Sequence, residues 1–221
     1  MSRFRTVLFD LDGTLLDTAP DLAWAVNALR AEHGLQALPY EVIRPTVSHG
    51  TPSMLQVGLG VGPEHPDFPS LRTRFLDIHR SHLVEQTTFF QGMETALVAL
   101  EEAGIHWGVV TNKPTFLTQP ILARLGLDRR SVTVVSGDTT PFSKPHPGPL
   151  LYACTAAKSV PEACVFVGDA ERDIAAGRAA GMATIVALFG YLAEDDQPHT
   201  WGADVLVENP AAMLAWILGQ P

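Results

Sequence analysis

The stretch Thr6-Val7-Leu8-Phe9-Asp10-Leu11-Asp12-Gly13-Thr14 joins a short β-branched and apolar run to two carboxylates one residue apart. A run without polar alternation reads as a strand buried on both faces. Such a strand must place Asp10 and Asp12 at its carboxyl edge. In open α/β sheets that edge is where ligands bind. The rest of the chain can be read as supplying partners for these two acids.

Directly after Thr14 the pattern changes. Thr18 and Pro20 suit a helix start, and Leu22, Val26 and Leu29 recur at helical spacing until Gly34. The periodicity predicts a helix over residues 21–33, and further helices over 40–48, 52–59 and 67–85. Pro63, Pro66 and Pro69 mark a loop inside this region. Residues 18–88 therefore read as an all-helical insert.

From about residue 90 strands alternate with helices. Helices are expected over 92–103, 114–125, 150–158, 171–180 and 210–218, and strands over 106–110, 132–135, 165–167, 184–187 and 204–207. This alternation implies βαβ units, a parallel sheet and right-handed crossovers. The expected architecture is a three-layer, Rossmann-like α/β core formed by residues 1–17 and 89–221, split after its first strand by a helical cap domain over 18–88.

The 221 residues carry 24 acidic and 15 basic side chains, a formal charge of −9. Without a basic patch to neutralise phosphates, a nucleic-acid partner is not expected. Two cysteines, Cys154 and Cys164, cannot form a disulfide scaffold, and Cys164 reads as a buried thiol. The amino-terminal residues lack a secretory apolar region, and no segment is apolar enough to span a bilayer. A soluble, cytoplasmic monomer or homodimer is expected.

Four strand ends or loops carry polar residues that folding does not require: Asp10 and Asp12, Thr111 and Asn112, Lys144, and Asp169 and Asp173. A parallel sheet brings such ends together at one edge. Clustered carboxylates repel one another unless a cation sits among them, and an oxygen-only donor set suits Mg²⁺. A divalent ion beside one lysine makes a site for a phosphoryl group.

These motifs, Asp-Leu-Asp-Gly-Thr at 10–14, Val-Val-Thr-Asn at 109–112, Lys144 in Ser-Lys-Pro, and Val-Gly-Asp-Ala-Glu-Arg-Asp at 167–173, resemble in kind and order those of haloacid dehalogenase superfamily phosphatases. The helical insert resembles that family's helical-bundle cap. The wording around Thr-Asn-Lys-Pro and Ser-Lys-Pro-His-Pro is similar to phosphoglycolate phosphatases, and the tail from Gly190-Tyr191 to Trp201-Gly202-Ala203-Asp204 to a branch that includes N-acetylmuramic acid 6-phosphate phosphatases.

The resemblance implies a Mg²⁺-dependent phosphomonoesterase acting on a small phosphorylated metabolite, 2-phosphoglycolate or a sugar 6-phosphate of the muramic type. It implies Asp10 as nucleophile and Asp12 as general acid and base. It places the metal on Asp10, the backbone carbonyl of Asp12 and Asp169, with Asp173 supporting the metal's waters or orienting Lys144. Thr111, with backbone N–H groups near Leu11, Gly13 and Asn112, would hold phosphoryl oxygens, and Lys144 would offset the charge of Asp10 and the phosphate. Ala170 departs from the second acid or serine of many relatives.

Alone, each motif has a plainer reading: Asp10 and Asp12 as a cap or loop pair, Thr111 and Asn112 as a turn, Lys144 as a solvated lysine, Asp173 as a first-turn helix acid. The polar connection over residues 44–51 reads either as an ordinary helix–helix link or, through Arg44, Ser48, His49 and Thr51, as a leaving-group contact. His79 and His82, three apart on a helix without acids or thiols to complete a metal site, read as surface or cap-packing residues. Asp12 argues against a dehalogenase, which does not need an acid at that position. A phosphomutase shares the motifs. A non-catalytic binding protein would be expected to lack one of the aspartates.

Overall fold

The computed structural model describes residues 2–220. β1 (Thr6–Phe9) is buried along its whole length and pairs in parallel on both sides. From it the chain turns at Gly13, whose φ of +84° suits a residue without a Cβ. It then forms the two-residue strand β2 (Leu16–Asp17) and the helices α1 (Ala19–Glu32), α2 (Tyr40–Ile43), α3 (Gly50–Leu59) and α4 (Phe68–Ser81). β3 (Thr88–Phe89) returns antiparallel to β2, with Leu16 opposite Phe89 and Asp17 opposite Thr88.

The remaining chain alternates: α5 (Met93–Glu102), β4 (His106–Val110), α6 (Thr115–Arg124), β5 (Val134–Val135), α7 (Gly148–Ala156), β6 (Cys164–Gly168), α8 (Glu171–Ala179), β7 (Ala183–Ala187), β8 (Val205–Val207) and α9 (Pro210–Leu218). The six-stranded sheet has the order β5-β4-β1-β6-β7-β8, and every neighbouring pair is parallel. The chain adds strands first to one side of β1, then to the other. That reversal opens a crevice beyond the carboxyl ends of the central strands.

Alternation along β1 sends its side chains to two cores. Val7 and Phe9 pack in one cluster with Leu97 and Leu100 of α5 and with Met213 and Ile217 of α9. Leu8 joins Phe166, Leu150, Ala153 and Ala176 on the other face, toward α7 and α8. These helix–sheet–helix layers are the α/β core expected from the sequence. The first cluster continues through Leu15, Leu16 and Leu22 into Val26, Leu29 and Phe75, so the helical segment is packed onto the sheet layer. Each fully buried Leu or Phe contributes about 1.5–3 kcal/mol relative to exposure.

Two helical expectations are corrected. The helix over 40–48 stops at Ile43 and continues as a 3-10 turn, Arg44–His49, because Pro45 has no N–H to give the helical ladder. The helix over 67–85 ends at Ser81. Beyond it, Gln86 N, Thr87 N and Thr87 Oγ1 donate to the buried carboxylate of Asp21, which draws 86–87 out of the helix. The two-residue strands β2 and β3, at the two ends of the insert, are not among the expected elements. Cys154 and Cys164 are both buried, with sulfurs 3.7 Å apart and unbridged. Among the described residues no helix is long and apolar enough to cross a membrane.

Candidate active site

The register of the central strands places the polar motifs together. Phe9 lies opposite Val109 on one side and Val167 on the other, so Asp10, Thr111 and Asp169 all emerge just beyond the same sheet edge. Asp10 N donates to Val167 O at 2.9 Å, and Thr111 N to Val135 O at 2.9 Å, which fixes both backbones. Asp169, Asp173 and Asp10 each offer a carboxylate oxygen within 4.8 Å of the others, and all three are buried.

Lys144 is the cation at the centre of this cluster. Its side chain is fully buried, and Nζ lies 2.9 Å from Asp10 Oδ1, 2.8 Å from Asp173 Oδ1 and 2.9 Å from Val110 O. Three acceptors match the three protons of an ammonium group. Asn112 clamps the Lys144 backbone from both sides: Nδ2 donates to Lys144 O at 2.9 Å, and Lys144 N donates to Asn112 Oδ1 at 3.0 Å. Asp173 holds its own helix start as well, with Ala170 N donating to Asp173 Oδ2 at 3.1 Å.

Asp169 accepts from Thr14 Oγ1 at 3.1 Å, from Tyr191 N at 2.9 Å and from Ser48 Oγ. Burial first, then the charges of Asp10 and Asp173, push its carboxyl up to about 7, despite the opposing hydrogen bonds from Ser48 and Tyr191. Gly13 and Gly190 leave it room: a Cβ on Gly13 would come within 2.1 Å of Asp169 Oδ2, and one on Gly190 within 2.3 Å of Asp169 Cβ. Three buried carboxylates held around one lysine leave an excess of negative charge. The oxygen-only donors suit a hard divalent cation such as Mg²⁺. Asp10, Asp169 and Asp173 are the side chains that fit it.

Asp12 sits apart from the carboxylate cluster. It is bound by Lys113 Nζ, 3.0 and 3.3 Å from its two oxygens, and by Thr18 Oγ1, 2.5 Å from Oδ1. Lys113 follows Thr111-Asn112 directly. A lysine at the end of a buried strand was the available signal for it, and the sequence reading gave it no part. Arg172 was missed in the same way. It is half-buried and lines the cavity. Burial opposes its charge, but Asp173, Asp10, Asp169 and Asp12 outweigh that and raise its pKa further.

A cavity of about 450 Å³ opens above this edge. Asp10, Asp12, Thr111, Asn112, Lys113 and Arg172 line it from the sheet side, and Leu22, Ser48, His49, Thr51, Met54, Arg72, Phe75 and His79 from the helical side. The expected leaving-group set is thus partly redistributed. Ser48 lines the cavity, but its hydroxyl is given to Asp169. His49 lines it too, with Nε2 3.2 Å from Asp196 Oδ2 across the cleft. Arg44 is not in the lining: Nη2 donates to Gly190 O at 3.1 Å, and the guanidinium lies 4.9 Å from the centre of the Tyr191 ring. Leu11 N donates to Asp10 Oδ1 at 2.7 Å, so this N–H steadies the carboxylate. His79, read as a surface or cap-packing residue, is buried in the cavity wall.

Residues 7–187 match the sequence profile of the family described as haloacid dehalogenase-like hydrolase. A phosphoglycolate phosphatase of Xanthomonas campestris pv. campestris is 47% identical over 218 residues, covering 96% of this chain and 97% of the relative. An N-acetylmuramic acid 6-phosphate phosphatase of Pseudomonas aeruginosa is 42% identical over 212 residues, covering 96% and 94%. The crystal structure of a predicted phosphoglycolate phosphatase from Haemophilus somnus superimposes with a TM-score of 0.85 at 28% identity, covering 98% of this chain and 99% of that one. With its parallel sheet, its ordered motifs and these relatives, the chain belongs to the haloacid dehalogenase-like hydrolases.

Proposed function

We propose that this protein is a phosphomonoesterase that transfers the phosphoryl group of a small metabolite to Asp10 and then to water, with 2-phosphoglycolate as the leading substrate. The observation that carries this reading is the meeting of Asp10, Asp12, Thr111 and Lys113 at one cavity, with Lys144, Asp169 and Asp173 held around Asp10. Asp10 Oδ1 is engaged by Leu11 N and Lys144 Nζ, which leaves Oδ2 as the oxygen to attack phosphorus. As the bond from Asp10 to phosphorus forms, the bond from phosphorus to the leaving oxygen breaks. Asp12 hands that oxygen a proton. Asp12 then takes a proton from water, which attacks the aspartyl-phosphate. Inorganic phosphate leaves and Asp10 is restored.

Thr111 and the cavity-facing backbone around Asn112 hold the phosphoryl oxygens, and Lys113 and Thr18 keep Asp12 aimed. Mg²⁺, held by Asp10, Asp169 and Asp173, would offset charge on the transferring group. Residues 18–88 act as a cap domain over the remaining 1–17 and 89–221. The β2–β3 ribbon, at the two crossings between these parts, is the natural hinge. Closure would exclude bulk water, and opening would release product.

The relatives' names favour one second substrate, N-acetylmuramic acid 6-phosphate. Phosphate release should be measured with Mg²⁺ and with EDTA on 2-phosphoglycolate, N-acetylmuramic acid 6-phosphate, glucose 6-phosphate and β-glucose 1-phosphate. Metal-dependent release concentrated on one ester supports the reading and names the substrate class. Conversion of β-glucose 1-phosphate to its isomer would replace hydrolase by mutase. Release from none would overturn the proposal.

A further inference from the structure

His79 is 1% exposed and lines the same cavity as Asp10 and Asp12. Neither of its ring nitrogens has a hydrogen-bond partner. Buried polar groups are almost always paired, and a buried group left unpaired costs about 1–3 kcal/mol. The residue nonetheless borders the cavity, so a small side-chain movement would bring a ring nitrogen to a bound molecule. Its neighbour on the same helix, Phe75, lies parallel to it with ring centres 6.4 Å apart, which fixes the imidazole plane. Burial, then Lys113 and His82, hold the imidazole well below its usual pKa, so it is neutral. A neutral imidazole offers one donor and one acceptor.

We propose that His79 is a specificity-determining residue that hydrogen-bonds a hydroxyl or carboxylate oxygen on the leaving group of the substrate. The inference rests on the phosphatase reading above and extends it. A phosphoryl group seated on Asp10 leaves the alcohol part of the ester toward the walls supplied by α1, α3 and α4. Most of that wall is apolar: Leu22, Met54, Phe75 and Leu76. Within it His79 is the buried polar group left without a partner, since Ser48 is given to Asp169, and Arg72, seven residues earlier on α4, stands exposed. Seven residues are about two helical turns, so both lie on one face. A site with an unpaired buried polar group rejects a ligand that cannot pair it, since the group then stays unsatisfied.

The experiment compares kcat/KM for esters that carry an oxygen function on the leaving group with an ester that does not. The first set is 2-phosphoglycolate, 2-hydroxyethyl phosphate and N-acetylmuramic acid 6-phosphate; the second is ethyl phosphate. In His79→Phe the oxygen-bearing ester that the wild type prefers should lose roughly 10- to 100-fold in kcat/KM, mainly through KM, while ethyl phosphate is unchanged. His79→Gln should recover part of the loss. Selective loss on 2-phosphoglycolate assigns a carboxylate, and selective loss on 2-hydroxyethyl phosphate a hydroxyl. An equal loss on every ester, or none, overturns the inference. Should His79→Phe not fold, ¹⁵N spectra of the imidazole in Asp10→Asn protein saturated with the preferred ester decide it: the ring nitrogens shift if they bond it, and unmoved nitrogens contradict the proposal. Release of phosphate by the wild type from no ester at all would be the failure of the phosphatase reading, which is a different result from a normal wild type whose ranking His79→Phe leaves intact.

Discussion

The two walls of the cavity are built on opposite rules. On the sheet side the lysines and carboxylates hold one another. Lys144 is matched by Asp10, Asp173 and Val110 O, Asp12 by Lys113 and Thr18, and Asp169 by Thr14, Ser48 and Tyr191. On the helical side, apolar surface surrounds one imidazole with no partner. A densely bonded network holds its atoms still, which phosphoryl transfer needs because it works by positioning and preorganised charge. An unsatisfied wall is completed by whatever molecule supplies the missing bonds. The chemistry is written into the first region and the choice of substrate into the second.

The comparison breaks most visibly at Lys144. Lys144→Met would leave Asp10 and Asp173 buried without their cation. It should end turnover and lower stability by about 3–5 kcal/mol, read by urea unfolding. A variant as stable as the wild type would mean that Lys144 does not hold the sheet-side network together. Lys113→Met removes a partner from the less buried Asp12. Turnover should drop roughly 10- to 100-fold, with a smaller loss of stability than Lys144→Met. Equal rates before and after would free Asp12 from its dependence on Lys113.

The helical side responds to pH. The unfolded chain protonates His79 near pH 6.5, whereas in the folded protein burial, with Lys113 and His82 facing it, keeps it neutral well below that. The unfolded state therefore binds more protons in this window, and stability is present above about pH 6.5 and lost as pH falls below it. The slope from this residue is at most about 1.4 kcal/mol per pH unit. Urea unfolding at pH 7 and pH 5.5 should show this slope reduced in His79→Phe; an identical slope would place the proton elsewhere. The smallest effect is expected outside the cavity lining, at the exposed pair of Arg74 and Glu32. Arg74→Gln should leave melting temperature and activity unchanged within error, since solvated ion pairs contribute little.

The sheet was legible because its signals are local and redundant. Thr6–Phe9, His106–Val110 and Pro210–Leu218 have the bounds that periodicity and caps indicate. Strand ends carrying polar residues announce a common edge, so Asp10, Asp12, Thr111, Lys144, Asp169 and Asp173 could be gathered from the chain alone. The helical side was less legible, because its decisive features are tertiary. Asp21 reaches 65 and 66 residues along the chain to shape 86–87. His79 sits at an ordinary helical position, and only packing shows that it faces a cavity. Arg44 was placed with the leaving group, but its pull toward Gly190 and Tyr191 depends on a loop 145 residues away.

The most direct test of the central claim is to trap the enzyme during turnover. Wild-type protein mixed with Mg²⁺ and its best substrate would be quenched in acid and its peptides weighed. A phosphoryl group on the peptide containing Asp10, absent in an Asp10→Asn variant that folds normally and no longer releases phosphate, is the expected result. Phosphate release by Asp10→Asn above a few per cent of wild type, or a phosphoryl group trapped on another side chain, would contradict the account.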